Sequence, residues 1–211
     1  MRTKLFVPVL LLSVFLTNYI FAQVDEQEIK DHKKEVEDYR MAKDQQILNL
    51  ESSPLSSDQK TNFKGLNYFP IDMNYKINAQ FAANSRQSEV SLSKSNGGTI
   101  QLKNIGEVTF NLNGESITLE VFQNNNLPEF ASNANQLFIP FSDLSNGNET
   151  NAGGRYLPIE LPAEGNTVVL DFNYAMNPYS AMNDEYFSVI PPGGNLIEQT
   201  IGSGERKFED R

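Results

Sequence analysis

Arg155 is the only Lys or Arg between Lys103 and Arg206, and that stretch carries 13 carboxylates. It follows Gly153-Gly154, precedes Tyr156, and closes a polar, glycine-rich run that begins at Asp143. Three chemistries fit a single cation in such a place. Two carboxyls among Asp143, Glu149, Asp171 and Glu205 could serve as general acid and base, as in glycoside hydrolysis. That needs one carboxyl in a dry setting with a raised pKa, and a separation of about 5 to 9 Å. Arg155 would then orient an anionic or polar substrate group through its planar fork. In the second reading Arg155, Asp143 and Glu149 form the centre of a binding pocket without catalysis. In the third, Arg155 is the counter-ion of Asp143 or Asp171 and pins the long loop to a sheet. Truncating one partner of such a buried pair costs about 3–5 kcal/mol.

Two further segments supply polar groups beside aromatics, Asp171-Phe172-Asn173 and Asn177-Pro178-Tyr179. Asp171, Asn173 and Asn177, with Tyr156 and Tyr179, could line a binding rim, to which Tyr174 and Tyr186 would add. An aromatic rim with carboxamides suits a sugar or a peptide. The same residues also suit a plainer role, the amides bonding turn backbone and the rings filling the core. Asp143, Ser145, Gly147 and Glu149 offer oxygens to calcium, but the loop lacks acids at alternate positions, so no metal is expected. Gly153-Gly154 has neither the phosphate-loop Lys nor dinucleotide-binding spacing, and no cofactor is expected.

Composition narrows the chemistry. The chain has no Cys, no Trp and one His. His32 falls in a polar N-terminal helix, where a solvated imidazole is expected. The remainder therefore cannot build a Ser-His-Asp triad, a cysteine nucleophile or a His- or thiolate-bound zinc site.

These residues need an address and a scaffold. Residues 1–22 read as a secretory signal peptide: Arg2 and Lys4 form the basic start, Phe6 to Ile20 the apolar core, and Ala22 the small residue before cleavage. No Cys follows Ala22, so a lipoprotein anchor is not expected, nor is stable membrane insertion after cleavage. Export to the periplasm or outside the cell, as in a bacterium, follows from this reading. Losing Arg2 and Lys4 takes the formal charge from −10 to −12. Such an acidic surface repels phosphate backbones, so nucleic acid is not an expected partner, whereas a small polar ligand is. Without disulfides the protein must rest on an apolar core.

Residues 23–52 form an amphipathic N-terminal segment, with a helix over 24–50 opened by Asp25 and Glu28 in capping-box spacing. Residues 53–211 form one β-rich domain. Pro54 stops the first helix, and a short second one is expected over 58–63, capped by Ser56 or Ser57. From Tyr68 the apolar period becomes two. Strands are expected over 68–79, 89–93 and 99–103, the last two joined at Asn96-Gly97. Two more, 107–112 and 116–122, flank Asn113-Gly114, the strongest short hairpin signal. Strands over 136–141, 155–161, 167–173 and 195–201 complete an antiparallel sandwich or open barrel.

One ordered series of short motifs runs through nearly all of the chain after residue 52: Ser53-Pro54-Leu55, Phe63-x-Gly65-Leu66, Leu137-Phe-Ile-Pro-Phe-x-Asp143, Gly147-x-Glu149-Thr150, Gly153-Gly154-Arg155-Tyr156, Asp171-Phe172-Asn173, Asn177-Pro178-Tyr179, Pro191-Pro192 and Gly204-Glu205. This series resembles the domain of unknown function 1684 family. The resemblance implies a mostly β domain and no established activity. The chain departs from the family's pattern near Asn151, where a Tyr is common, and at Ser180 and Ser188, where Cys is common. Any thiol-dependent role there would not carry over. The sequence is thus read as an exported non-enzymatic small-ligand-binding or structural domain with a polar pocket around Arg155. The alternative is a carboxylate-dependent hydrolase in which Asp143 and Glu149 act and Arg155 orients substrate.

Overall fold

A computed structural model describes residues 10–51, 53–124, 127–131, 133 and 135–209, with residues 10–25 and 87 described by backbone alone. The basic start of the expected signal peptide, with Arg2 and Lys4, lies outside the described residues. Helix α1 (Leu10–Asn49) begins well before Asp25, so no helix start occurs there. Leu10 to Asp25 contains no Gly or Pro to interrupt a helix. Among the described residues no helix is long and apolar enough to cross a membrane.

The chain divides into two units within α1, Met1–Arg40 and Met41–Arg211, where the sequence suggested a boundary at 52/53. In the first unit, Lys30 pairs with Glu26 at 2.7 Å and Lys34 pairs with Asp38, both one helical turn apart and exposed. Pairs this exposed add little to the stability of the helix. His32, in this unit, is buried, contrary to the solvated imidazole expected.

The second unit begins with the last turns of α1. Ile47 buries there against Leu55, Tyr179 and Met182. Helix α2 (Ser57–Asn62) carries a reciprocal capping box. Gln59 N donates to Ser56 Oγ, and Ser56 N donates to Gln59 Oε1.

Among the described residues seven strands form one curled sheet. They are β1 (Lys76–Ser93), β2 (Thr99–Leu112), β3 (Glu115–Gln123), β4 (Leu137–Asp143), β5 (Arg155–Ile159), β6 (Thr167–Asp171) and β7 (Leu196–Ile197). The spatial order is β5-β4-β3-β2-β1-β6, all antiparallel, and β7 pairs with β4 in parallel. β5 and β6, the two ends of that path, approach each other without pairing, so the sheet is an open barrel.

The short strands expected between residues 76 and 112 are two long ones. Their apparent ends are bulges, where the register shifts between Ala83 and Ser88 and between Asn104 and Gly106. A bulge interrupts the period of two and so imitates a strand end in sequence. The Asn113-Gly114 turn has both residues at positive φ, 52° and 89°, as a tight two-residue hairpin requires. Across it Val108 faces Leu119 and Phe110 faces Ile117.

Successive residues of β3, β4 and β5 enter different cores. Val121, Ile139 and Leu157 join Phe110, Leu119 and Phe172 in the main cluster. Phe122, Phe138 and Tyr156 point the other way, into a second cluster with Leu102, Leu127 and Val189. These three strands are therefore covered on both faces. β5 is an edge strand. Tyr156 exchanges backbone bonds with Met176 on its outer side, at 2.8 and 2.9 Å. By alternation Pro158 faces the same side, so the donor it lacks is missing at the free edge, where a further chain would otherwise add.

β3 and β4 pair only at Phe122–Phe138 and Gln123–Leu137. Beyond that point the side chain of Asn195, fully buried, takes the place of a strand. Asn195 Oδ1 accepts from Glu120 N at 2.7 Å, and its Nδ2 donates to Glu120 O at 3.0 Å and Pro140 O at 2.8 Å.

Candidate functional site

The expected strand over 195–201 is only the two residues of β7, and the segment after it explains why. Beyond β7 the chain bends at Gln199 and again at Gly204 and pairs through the Tyr68–Glu205 bridge, while side chains take several of the backbone positions a neighbouring strand would fill. Tyr75 Oη accepts from Gly202 N at 3.2 Å, Asp143 Oδ1 accepts from Ile201 N at 3.3 Å, and Ser203 Oγ donates to Asn173 Oδ1 at 2.8 Å.

Arg155 is the hub of this clamp. It opens β5 and is wholly buried. Its Nη1 donates to the carbonyls of Ser203 at 2.5 Å and Glu205 at 3.1 Å. Its Nη2 donates to Asp143 Oδ2 at 2.8 Å and to the Ile201 carbonyl at 2.9 Å. Alternate carbonyls of the 201–205 segment thus converge on one guanidinium, whose Cζ lies 5.2 Å from the centre of the Phe141 ring. Burial pulls the Arg155 pKa below its ordinary value, and the charge of Asp143 opposes that shift. The cation persists because a guanidinium is effectively always protonated in proteins.

The loop that carries Arg155 is fixed from within. Asp143 Oδ1 accepts from Ser145 N and Oγ at 2.8 and 2.5 Å, and Ser145 Oγ meets Thr150 Oγ1 at 2.8 Å. The backbone needs glycine at two points. At Gly154, with φ +88°, a Cβ would lie 2.6 Å from Pro191 Cγ and 2.7 Å from Phe141 O. At Gly204, with φ +78°, it would lie 2.5 Å from Ala175 O. The second glycine lets the chain turn so that carbonyls on either side of it reach Arg155.

The other residues singled out in sequence fall into four places. Asp171 caps a 3-10 turn over Phe172–Tyr174 that contains Asn173. Asp171 Oδ1 accepts from Asn173 N at 3.0 Å and Nδ2 at 2.8 Å, and the Asn173 side chain also bonds both backbone groups of Asp72. Asn177 is buried with Glu205. Its N donates to Glu205 Oε2 at 2.8 Å and its Nδ2 to Arg206 O at 2.8 Å. Tyr156 and Tyr179 are core residues. Tyr156 Oη accepts from Val189 N at 2.7 Å, and burial raises its pKa well above the ordinary value. Burial pushes Tyr179 up to about 12. Glu149 lies apart, half-exposed, with Arg206 Nη2 at 3.3 Å from its carboxylate. Asp143, Glu149 and Glu205 therefore do not share an open cleft, since Asp143 and Glu205 are buried and Glu149 faces outward.

Sequence reasoning missed the partner of Glu205. Lys43, from the last turns of α1, places Nζ 2.5 Å from Glu205 Oε1, both side chains nearly closed to solvent. Glu129 joins the same neighbourhood. Its Oε1 accepts from Tyr179 N at 2.7 Å, and burial raises its pKa, with Lys43 opposing. A lysine on a charged helix gives no signal for such a pairing.

On its outer side the same loop borders a hollow of about 350 Å³, lined by Asn96, Asn151, Ser180, Asp184, Tyr186 and Ser188 among others. Among the described residues no group of three or more His, Cys, Asp or Glu could hold a metal ion.

The fold and site define a class: an open-barrel β domain whose long loop and C-terminal segment are locked together by one buried arginine. The chain belongs to the family described as "Protein of unknown function (DUF1684)", which matches residues 61–206. It is also similar to an uncharacterized protein of Haloarcula marismortui solved by NMR. The two are 28% identical with a TM-score of 0.65, over 86% of this chain and 97% of that one. No curated protein matches the chain.

Proposed function

We propose that this is an exported, non-enzymatic domain that binds a small polar ligand on the outer side of the 143–155 loop. Arg155 acts as the structural pin that holds that loop. The observation that carries the reading is the engagement of both terminal nitrogens of a guanidinium closed to solvent. Nη1 and Nη2 are spent on Asp143 and three carbonyls, and no surface of Arg155 is left for a ligand. A hydrolase needs two carboxyls on one open cleft. Asp143 is closed over its own loop and Glu149 is paired outward with Arg206, which removes the support for that alternative. The hollow beside Asn151 is concave, polar and near the lower end of ligand-site volumes. Export is supported by the basic, apolar and small-residue order of residues 1–22.

A thermal-shift screen of the full chain against sugars, dicarboxylates and Ca²⁺ tests the reading. One ligand class should raise the melting temperature, and an Asp184→Ala variant should lose that response while Arg155→Lys, though less stable, keeps it. The opposite pattern, loss in Arg155→Lys alone, would return the ligand to the arginine.

A further inference from the structure

We propose that the hollow beside Asn151 takes a neutral saccharide of one or two rings. This rests on the binding reading above and adds the ligand's chemistry.

The lining carries no Lys or Arg, so a phosphate or carboxylate ligand would meet no opposite charge. Its exposed surface is more polar than apolar, which disfavours a lipid or hydrocarbon. What it offers is amides at Asn96 and Asn151, hydroxyls at Ser180 and Ser188, one carboxylate at Asp184 and one ring at Tyr186. Amides and serine hydroxyls both donate and accept, and the carboxylate accepts two bonds side by side. That combination matches adjacent sugar hydroxyls, each of which donates and accepts in turn. The tyrosine supplies an apolar face with a polar tip.

The walls are held before any ligand arrives. Ser95 and Ser188 are tied by two bonds of 2.9 Å, Ser95 N to Ser188 O and Ser188 N to Ser95 Oγ. Asn151 Nδ2 donates to Gly154 O at 2.9 Å, which fixes the amide and leaves Oδ1 to accept from a ligand. Tyr186 stands edge-on to the buried Tyr179, with ring centres 5.5 Å apart at 87°. Gly153 keeps the floor low. A Cβ there would lie 3.3 Å from Asn151 Nδ2 and 3.7 Å from Ser188 Oγ, occupying the space between them. Fixed walls reduce the ordering cost that a flexible polar ligand otherwise imposes on binding.

The test is a titration of the ¹⁵N-labelled full chain, followed by amide chemical shifts. The probes are glucose, galactose, N-acetylglucosamine, maltose and cellobiose, with citrate, phosphate and spermidine as charged comparisons. At least one sugar should give saturable shifts at Asn96, Asn151, Gly153 and Ser188. Asp184→Ala, an exposed position, should weaken that binding at least 10-fold without changing the melting temperature. A Gly153→Val variant, checked for folding by its spectrum, should abolish it. Saturable shifts at these residues from a charged probe only would overturn the saccharide inference and leave the binding reading standing. Sugar-induced shifts confined to other residues would overturn it as well. No saturable response to any probe would count against both.

Discussion

Arg155 meets Glu205 through the backbone and not through the carboxylate. The guanidinium takes the Glu205 carbonyl at 3.1 Å, while the Glu205 carboxylate turns to Lys43 at 2.5 Å and to the Asn177 amide at 2.8 Å. One residue thereby links two buried cations on different elements, β5 and the end of α1. A pair of this kind fixes geometry more than it adds stability, because both charges are desolvated. Breaking it is another matter, since the surviving charge is left buried alone.

Arg155→Lys should therefore be strongly destabilising. A lysine cannot reach Asp143 and three carbonyls at once, because it lacks the planar fork. The expected loss is about 3–5 kcal/mol, the range for breaking a buried pair. Urea unfolding followed by circular dichroism measures it, and a midpoint equal to the parent's would contradict the structural role.

Gly154→Ala and Gly204→Ala should each cost at least about 1–3 kcal/mol, from positive φ alone. Contact with Phe141 O or Ala175 O adds to that. Gly165→Ala, also at positive φ but in open space, should cost less than either. The ranking of the three melting temperatures checks the point.

Asn195→Ala removes the side chain that bridges β3 and β4, leaving Glu120 N, Glu120 O and Pro140 O without their partner. A buried polar group left unpaired costs about 1–3 kcal/mol, so a loss of about 2 kcal/mol or more is expected. Hydrogen exchange should quicken at the Glu120 amide before it does at Leu119. Unchanged exchange there would show that the bridge is dispensable.

Stability should fall as pH rises above the ordinary carboxyl range. Burial raises the pKa of Asp44, Glu120 and Glu129, and Glu120 also faces Glu107 directly across β2 and β3. A carboxyl with a raised folded pKa holds its proton longer in the native state than in the unfolded chain. Its stabilising share is thus complete below the unfolded value, about 4.3 for Glu, and is lost as pH climbs through the folded value. Glu129→Gln keeps an acceptor for Tyr179 N and cannot ionise. Its melting temperature should decline less than the parent's as pH rises from about 4 towards neutrality. Parallel curves would remove Glu129 from the account.

Local signals in the sequence translated well into structure. Asn113-Gly114 specifies its hairpin because the turn needs two positive φ angles that few residue pairs tolerate. A buried pair between Arg155 and either Asp143 or Asp171 was legible because one cation stands alone among many acids, and the fold selects Asp143. Continuity and distant partners were not legible. The bulges near Ala83 and Asn104 look like strand ends, and residues 195–201 read as a strand although only Leu196–Ile197 pair and side chains take the Ile201 and Gly202 amides. Lys43 and Asn195 carry no local mark of their roles, since each is set by a partner more than 70 residues away, as the 75-residue separation of Asn195 from Glu120 shows.

The Arg155 guanidinium is sealed from solvent, with both terminal nitrogens engaged on Asp143 and the 201–205 carbonyls. Side-chain ¹⁵N–¹H spectra of the unmodified protein measure this directly through exchange of the Nη protons with water. Arg155 should give resolved Nη signals that exchange far more slowly than those of the exposed Arg86. Nη exchange as fast as that of Arg86 would contradict the account.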